Sequence, residues 1–265
     1  MATYKKLLVA SAKGGVGKST TSLGLAVSLA KMGKKTLLID LDNVSRSLDL
    51  LSGASDMSTV ELGDVISGGE ISSVTPFSEI PSLSLIPACD QSFAERISAE
   101  RGVPFVSVVR EAIYRIADEA EYDFLVCDTG AGIDMAKAVC GAFDMVLVIS
   151  EQGKTSVRAA DYAAAELMCA GAKCMRLVIC SFDVESVRKE NRAGVIEIID
   201  SSELSCIGVV PFDKLLQRTQ DAGRLPSEKS LSSIAYSNIA KRIVGEPVPL
   251  FSGMKRYRKK LERAL

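Results

Sequence analysis

Residues 11–20 read Ser11-Ala12-Lys13-Gly14-Gly15-Val16-Gly17-Lys18-Ser19-Thr20. It follows the apolar run Leu7-Leu8-Val9-Ala10 and opens a helical pattern that continues to about Met32. A strand, a glycine loop and a helix beginning Lys-Ser-Thr together make a phosphate cradle. Glycines let successive backbone N–H groups turn inward, and the helix N-terminus adds the positive end of its dipole. Gly14, Gly15, Val16, Gly17, Ser19 and Thr20 are therefore the expected phosphate-contacting segment. Lys18 is placed to reach the β- and γ-phosphates, and the Ser19 hydroxyl to enter a Mg²⁺ site.

The pattern G-x-x-x-x-G-K-[ST] misses by one residue, because its first position is Ala12. K-G-G-x-G-K-[ST] fits instead, with an additional lysine, Lys13, at the head of the loop. A dinucleotide fingerprint does not fit, since Gly15-Val16-Gly17 runs into Lys18, Ser19 and Thr20. The loop is the deviant Walker A signature, and here the chain resembles the ParA/MinD family of ATPases. That resemblance implies ATP as substrate, Mg²⁺ as cofactor and an ATP-dependent homodimer. In it, Lys13 reaches across to the partner's nucleotide.

A chain of 265 residues that is 47% hydrophobic can bury a full core, and one α/β domain is the simplest count. No apolar run approaches the length of a membrane span, and the N-terminus lacks a secretory pattern. The seven cysteines include no C-x-x-C pair and sit mostly in apolar runs, so reduced core thiols of a cytoplasmic protein are expected. Histidine is absent, which removes Ser-His-Asp catalysis and histidine-ligated metals. The net charge of −1 is uneven: residues 254–265 carry +5, leaving −6 elsewhere.

Apolar runs alternate with helical patterns from end to end. This predicts a single α/β domain, a mostly parallel twisted sheet with helices on both faces, over residues 1–245. Strands are expected at Lys5–Ser11, Thr36–Asp40, Leu83–Pro87, Phe124–Asp128, Met145–Ser150, Met175–Cys180 and Ile207–Val210. Helices are expected near Lys18–Met32, Pro104–Glu121, Ile133–Ala142, Ser156–Ala170, Asn191–Ile199 and Leu231–Val244. Residues 52–82, rich in Ser and Gly, read as a surface excursion. Residues 246–265 read as a linker, broken by Pro247 and Pro249, followed by a basic tail helix.

Leu37-Leu38-Ile39-Asp40-Leu41-Asp42 and Phe124-Leu125-Val126-Cys127-Asp128 are buried strands ending in carboxylates. Ligands of open parallel sheets bind beyond the carboxyl ends of the strands, where these aspartates emerge. Asp40 and Asp128, with Ser19, are the expected Mg²⁺ set, and Asp42, one step out, is the residue to orient an attacking water. Phosphoryl transfer needs positioning and charge neutralisation, so Lys18, Lys13 and Asp42 suffice as the catalytic set.

The resemblance extends along most of the chain. Asp40-Leu41-Asp42 with Arg46-Ser47-Leu48-Asp49-Leu50 matches the family's first switch region, and residues 122–133 match the second. Ser150-Glu151 with Ser156-Val157-Arg158 matches the segment after the next strand. Gly208-Val209-Val210-Pro211-Phe212-Asp213 resembles the late loop that frames adenine, so Pro211 and Asp213 are implied contacts of the base. The wording is nearest to the MinD branch, which implies a switch at the inner membrane surface in division-site placement, with an activating or inhibitory protein partner. The second switch reads Asp128-Thr129-Gly130-Ala131-Gly132, with Gly130 where that branch usually has proline, and this wording also resembles the flagellar-number ATPases of the same family. A ParA-type DNA-partitioning role shares every nucleotide residue, but would need a basic surface on the body, so no nucleic-acid partner is expected. Cys180-Ser181-Phe182-Asp183 lacks the asparagine that the family often sets against adenine.

On a helical wheel the tail aligns Met254, Tyr257, Leu261 and Leu265 along one side with basic residues around the rest. The resemblance implies an anionic-membrane contact through residues 254–265, strengthened roughly 10²–10⁴-fold when a dimer presents two tails. The bland alternative is a solvated basic arm.

Overall fold

The computed structural model describes residues 5–55, 60–119, 121–189, 192–228 and 230–262. Seven apolar runs become strands: β1 (Lys6–Ala10), β2 (Thr36–Asp40), β3 (Leu83–Ile86), β4 (Phe124–Asp128), β5 (Met145–Ser150), β6 (Met175–Phe182) and β7 (Cys206–Pro211). They form one sheet in the order β3-β2-β4-β1-β5-β6-β7, every pair parallel. The strands read as near-continuous apolar runs because both faces are covered.

Side chains alternate between the two faces, as the two-residue period of a strand requires. Leu8, Ala10, Leu37, Ile39, Leu125, Cys127, Val146 and Val148 enter one core layer. Leu7, Val9, Leu38, Phe124, Val126, Leu147 and Ile149 enter the other. The chain continues from β1 into α1 (Lys18–Lys31), and from β2 into α2 (Ser47–Ser52) and α3 (Leu62–Ile66). Then come α4 (Gln91–Arg101), α5 (Phe105–Glu119), α6 (Asp134–Val139), α7 (Lys154–Cys169), α8 (Val184–Lys189) and α9 (Val195–Ser202). Last are α10 (Lys214–Asp221), α11 (Leu231–Ile243) and α12 (Lys255–Glu262). The buried residues of α5, α7 and α9 fill the first layer, and those of α1 and α11 the second. β1 is central, flanked by β4 and β5, so the loop after it opens at the middle of the sheet's carboxyl edge.

Two expectations are corrected. Residues 52–82 are more than a surface excursion. Val60, Leu62, Val65, Ile66 and Val74 are buried in the first core layer and Phe77 in the second. These apolar residues are spread over short helices and coil, so no single period announces them. The Gly245–Gly253 stretch, coil as predicted, is fastened to the body. The Arg242 guanidinium donates to the carbonyls of Ile207 (2.6 Å), Val248 (2.8 Å) and Pro249 (2.6 Å), and the Asn238 amide to Ser252 (2.8 Å).

The tail forms its helix, but two residues of its apolar side face the protein. Met254 is buried, and the Tyr257 hydroxyl donates to the Phe182 carbonyl at 2.7 Å, with its ring beside Phe251. An amphipathic helix buries its apolar side on whatever lies in reach, here the end of β6. Asn191, Leu265 and the side chain of Leu261 fall outside the described residues.

Candidate nucleotide-binding site

Between β1 and α1 the chain turns on Gly15 (φ 75°) and Gly17 (φ 95°), both in the left-handed region that a side chain would strain. Gly17 is also the N-cap of α1, and Val16, 1% exposed, pins the loop into the core. A helix N-terminus with glycine before it presents unpaired N–H groups to an anion. Lys18 curls over the loop, its Nζ 3.4 Å from the carbonyl of Lys13, which uses one of its three donors. Its side chain is largely buried. Burial lowers its pKa, while Asp128 and Asp42 act in the opposite direction.

β2 and β4 end side by side, with Asp40 in register with Asp128. Both carboxylates are buried. The Asp40 oxygens accept backbone N–H groups from Asp42 (2.9 Å) and Leu48 (3.2 Å), so this residue shapes the loop carrying Asp42. Burial pushes its pKa up to about 6. Asp128 Oδ1 accepts the Ser22 hydroxyl at 2.8 Å, while Oδ2 is buried without a hydrogen-bond partner. Burial, then the charge of Asp40, pushes the Asp128 carboxyl up to about 7. Ser19, Ser22 and Lys18 pull it the other way, Ser19 without reaching hydrogen-bonding geometry to Oδ2.

An orphaned carboxylate oxygen behind the Ser19 hydroxyl fits a hard cation. Among the described residues no three acidic or thiol side chains converge as an all-protein cage. Mg²⁺ suits such a site because it keeps several of its waters. Ser19 and Asp128 would hold it, with Asp40 behind.

Asp42 is half-buried, and its Oδ1 accepts the N–H groups of Val44 (3.2 Å) and Ser45 (3.1 Å). Lys13 folds back onto its own chain: its Nζ donates to Ser156 Oγ at 2.8 Å and lies 3.9 Å from the Glu151 carboxylate.

A cavity of about 460 Å³ adjoins the loop, lined by Gly15, Gly17, Thr20, Cys180, Pro211 and Phe212, among others. Asp213 also lines it, but its oxygens are taken up by backbone. Oδ1 caps α10 at Leu215 and Leu216, and Oδ2 accepts the N–H of Ser232. Thr20 donates to the Gln220 side chain at 3.4 Å. A cavity of about 410 Å³ between α1 and α11 touches none of the phosphate-loop residues.

Sequence reasoning missed Ser22 and Ser47. Ser22 sits one turn after Lys18 on the sheet-facing side of α1, a buried polar position visible in the helical pattern. The Ser47 hydroxyl donates to that of Ser19 at 3.0 Å across the first switch region, a contact no local pattern reveals.

The CobQ/CobB/MinD/ParA nucleotide binding domain matches residues 7–226, which span the phosphate loop, all three aspartates and most of the cavity's lining. The chain belongs to this family. It is 30% identical to the septum site-determining protein MinD of Bacillus subtilis over 92% of this chain and 90% of that one. The corresponding protein of a Synechocystis strain is 29% identical over 97% and 96%. Among solved structures, a chain of the MinC:MinD cell division protein complex of Aquifex aeolicus superposes with a TM-score of 0.81. That likeness comes at 26% identity over 93% of this chain and 98% of that one. The likeness spans nearly all of the seven-stranded parallel architecture found here, and no described helix is long and apolar enough to cross a membrane.

Proposed function

We propose that this chain is a MinD-like ATPase: a switch that binds MgATP, pairs with a second copy, attaches to the inner face of an anionic membrane and resets on hydrolysis. The observation that carries the nucleotide chemistry is the partnerless Oδ2 of Asp128, buried behind Ser19 at the mouth of a left-handed glycine turn. The cellular role in placing the division site, with an activating or inhibitory protein partner, rests on relatives named for that task.

Bound Mg²⁺ supplies charge neutralisation on the phosphates. The chain's own groups do the rest. Loop N–H groups orient the phosphates, and Lys18 offsets their charge from a site where little water screens it. Asp42 orients the attacking water. Lys13 acts on the partner's nucleotide, which requires its Nζ to leave Ser156 and Glu151. A cation supplied from the partner is worth roughly 10³–10⁵ in rate, so the single chain is slow and the dimer is the active form.

Membrane attachment rests on the basic residues of α12. Each is worth about 1 kcal/mol near an anionic leaflet, which is marginal for one chain and sufficient for two. Because Met254 and Tyr257 are held by the body, their insertion requires the helix to come away from Phe182. Co-sedimentation with phosphatidylglycerol-rich vesicles tests this. Binding is expected with MgATP, weak with MgADP, and released by Leu261→Glu or by high salt. Equal binding in MgATP and MgADP would contradict the switch.

A further inference from the structure

Gly130 stands in the second switch region, two residues beyond Asp128, and its α-carbon faces Asp42 of the first. A Cβ added there would lie 2.8 Å from Cγ of Asp42, 2.9 Å from Oδ1 and 3.1 Å from Oδ2. Those separations are well inside van der Waals contact, so in this chain the Asp42 carboxylate occupies the space that a side chain at position 130 would fill. From this we infer that Gly130 is a positioning residue for the water-orienting carboxylate, its missing side chain forming the recess in which Asp42 sits. The inference rests on the reading of Asp42 given above.

Neither side of this contact can retreat cheaply. Thr129 is tied to the Val9 carbonyl by its N–H (3.2 Å) and its hydroxyl (2.9 Å). Gly132 is bridged to Ser11, and Ala131 packs so close to Gly14 that a Cβ there would meet its own at 3.6 Å. The backbone on both sides of Gly130 is therefore anchored to β1 and the phosphate loop. Across the contact, the Asp42 N–H is held by Asp40, and Oδ1 holds the N–H groups of Val44 and Ser45. A methyl at position 130 must turn the carboxylate out of that turn. Gly130 itself is not in the left-handed region, so alanine there meets no backbone strain and the disturbance falls on Asp42. The recess also lets the two switch loops register on each other, since Asp42 follows β2 and Gly130 follows β4, adjacent strands of the sheet.

The test is a double-mutant cycle with Gly130→Ala, Asp42→Ala and the pair, read by single-turnover phosphate release, MgATP affinity and thermal stability. Gly130→Ala should lower turnover about tenfold or more while its MgATP affinity stays within about threefold, the signature of a lost transition-state contact. In the Asp42→Ala background it should cost nothing further, because the obstructed group is gone. The double variant should melt at or above Asp42→Ala, even if Gly130→Ala alone is too unstable to assay, since alanine narrows the unfolded ensemble. Turnover by Gly130→Ala within about twofold of wild type would overturn the recess alone, as would an additive loss in the double variant. So would a double variant that melts below Asp42→Ala. A wild-type rate in Asp42→Ala would overturn the role of Asp42 itself, and the recess with it.

Discussion

Two lysine-bearing regions of this molecule are fixed in opposite ways. In the phosphate loop the backbone comes first: left-handed turns at Gly15 and Gly17 and the start of α1 set where Lys13 and Lys18 stand. In α12 the side chains come first, and the helix settles where Met254 and Tyr257 find cover. A motif that specifies backbone geometry carries its meaning into the structure unchanged. An amphipathic pattern states that one side will be covered and leaves the cover to the surroundings.

The two loop lysines should fail in different ways when truncated. Lys18→Ala should weaken MgATP binding on the order of 10²-fold, about 3 kcal/mol, because it leaves phosphate charge unpaired in a partly buried site. Lys13→Ala should leave affinity nearly unchanged and lower dimer-dependent phosphate release by roughly 10³-fold, as for a cation supplied in trans. Equal losses of nucleotide affinity in the two variants would erase the distinction between them.

The buried carboxylates make the phosphate-loop region sensitive to pH. Burial pushes the Asp128 carboxyl up to about 7, against 3.8 for an ordinary exposed aspartate. The folded chain therefore binds more protons than the unfolded one between those limits, and the stability of nucleotide-free protein falls as pH rises through that window. Stabilisation by MgATP should grow over the same range, because the cation needs the ionised carboxylate. Asp128→Asn should flatten both trends in melting curves. A nucleotide-free protein whose stability rises from pH 5 to 7 through this residue would contradict the assignment.

On the tail side the expected effect is small. Tyr257→Phe removes one hydrogen bond to the Phe182 carbonyl, worth about 1 kcal/mol in chemical denaturation. It should also raise the fraction bound to anionic vesicles, since docking on the body and insertion compete for the same side of α12. Unchanged vesicle binding would mean that the basic side alone makes the contact.

Most of the sheet was legible because a strand buried on both faces reads as an uninterrupted apolar run. β2, β4 and β5 have the expected ends, and β6 runs two residues further, to Phe182. α4 and α10 were missed: each follows an aspartate N-cap, Asp90 and Asp213, and buries few residues. Short or weakly buried helices leave little periodicity to read. At the site, the loop and its aspartates were visible as a motif and as strand ends. Ser47 on Ser19, Lys13 on Ser156 and Asp42 against Gly130 were not, because each joins positions that only the folded sheet brings together.

In the proposed switch the nucleotide site is completed by a second copy of the chain. Asp42→Ala separates that pairing from hydrolysis, because on the proposed role of Asp42 it removes water positioning and leaves the phosphate cradle intact. Sedimentation equilibrium should show this variant as a dimer in MgATP and a monomer in MgADP. A variant that binds MgATP yet stays monomeric would contradict the claim.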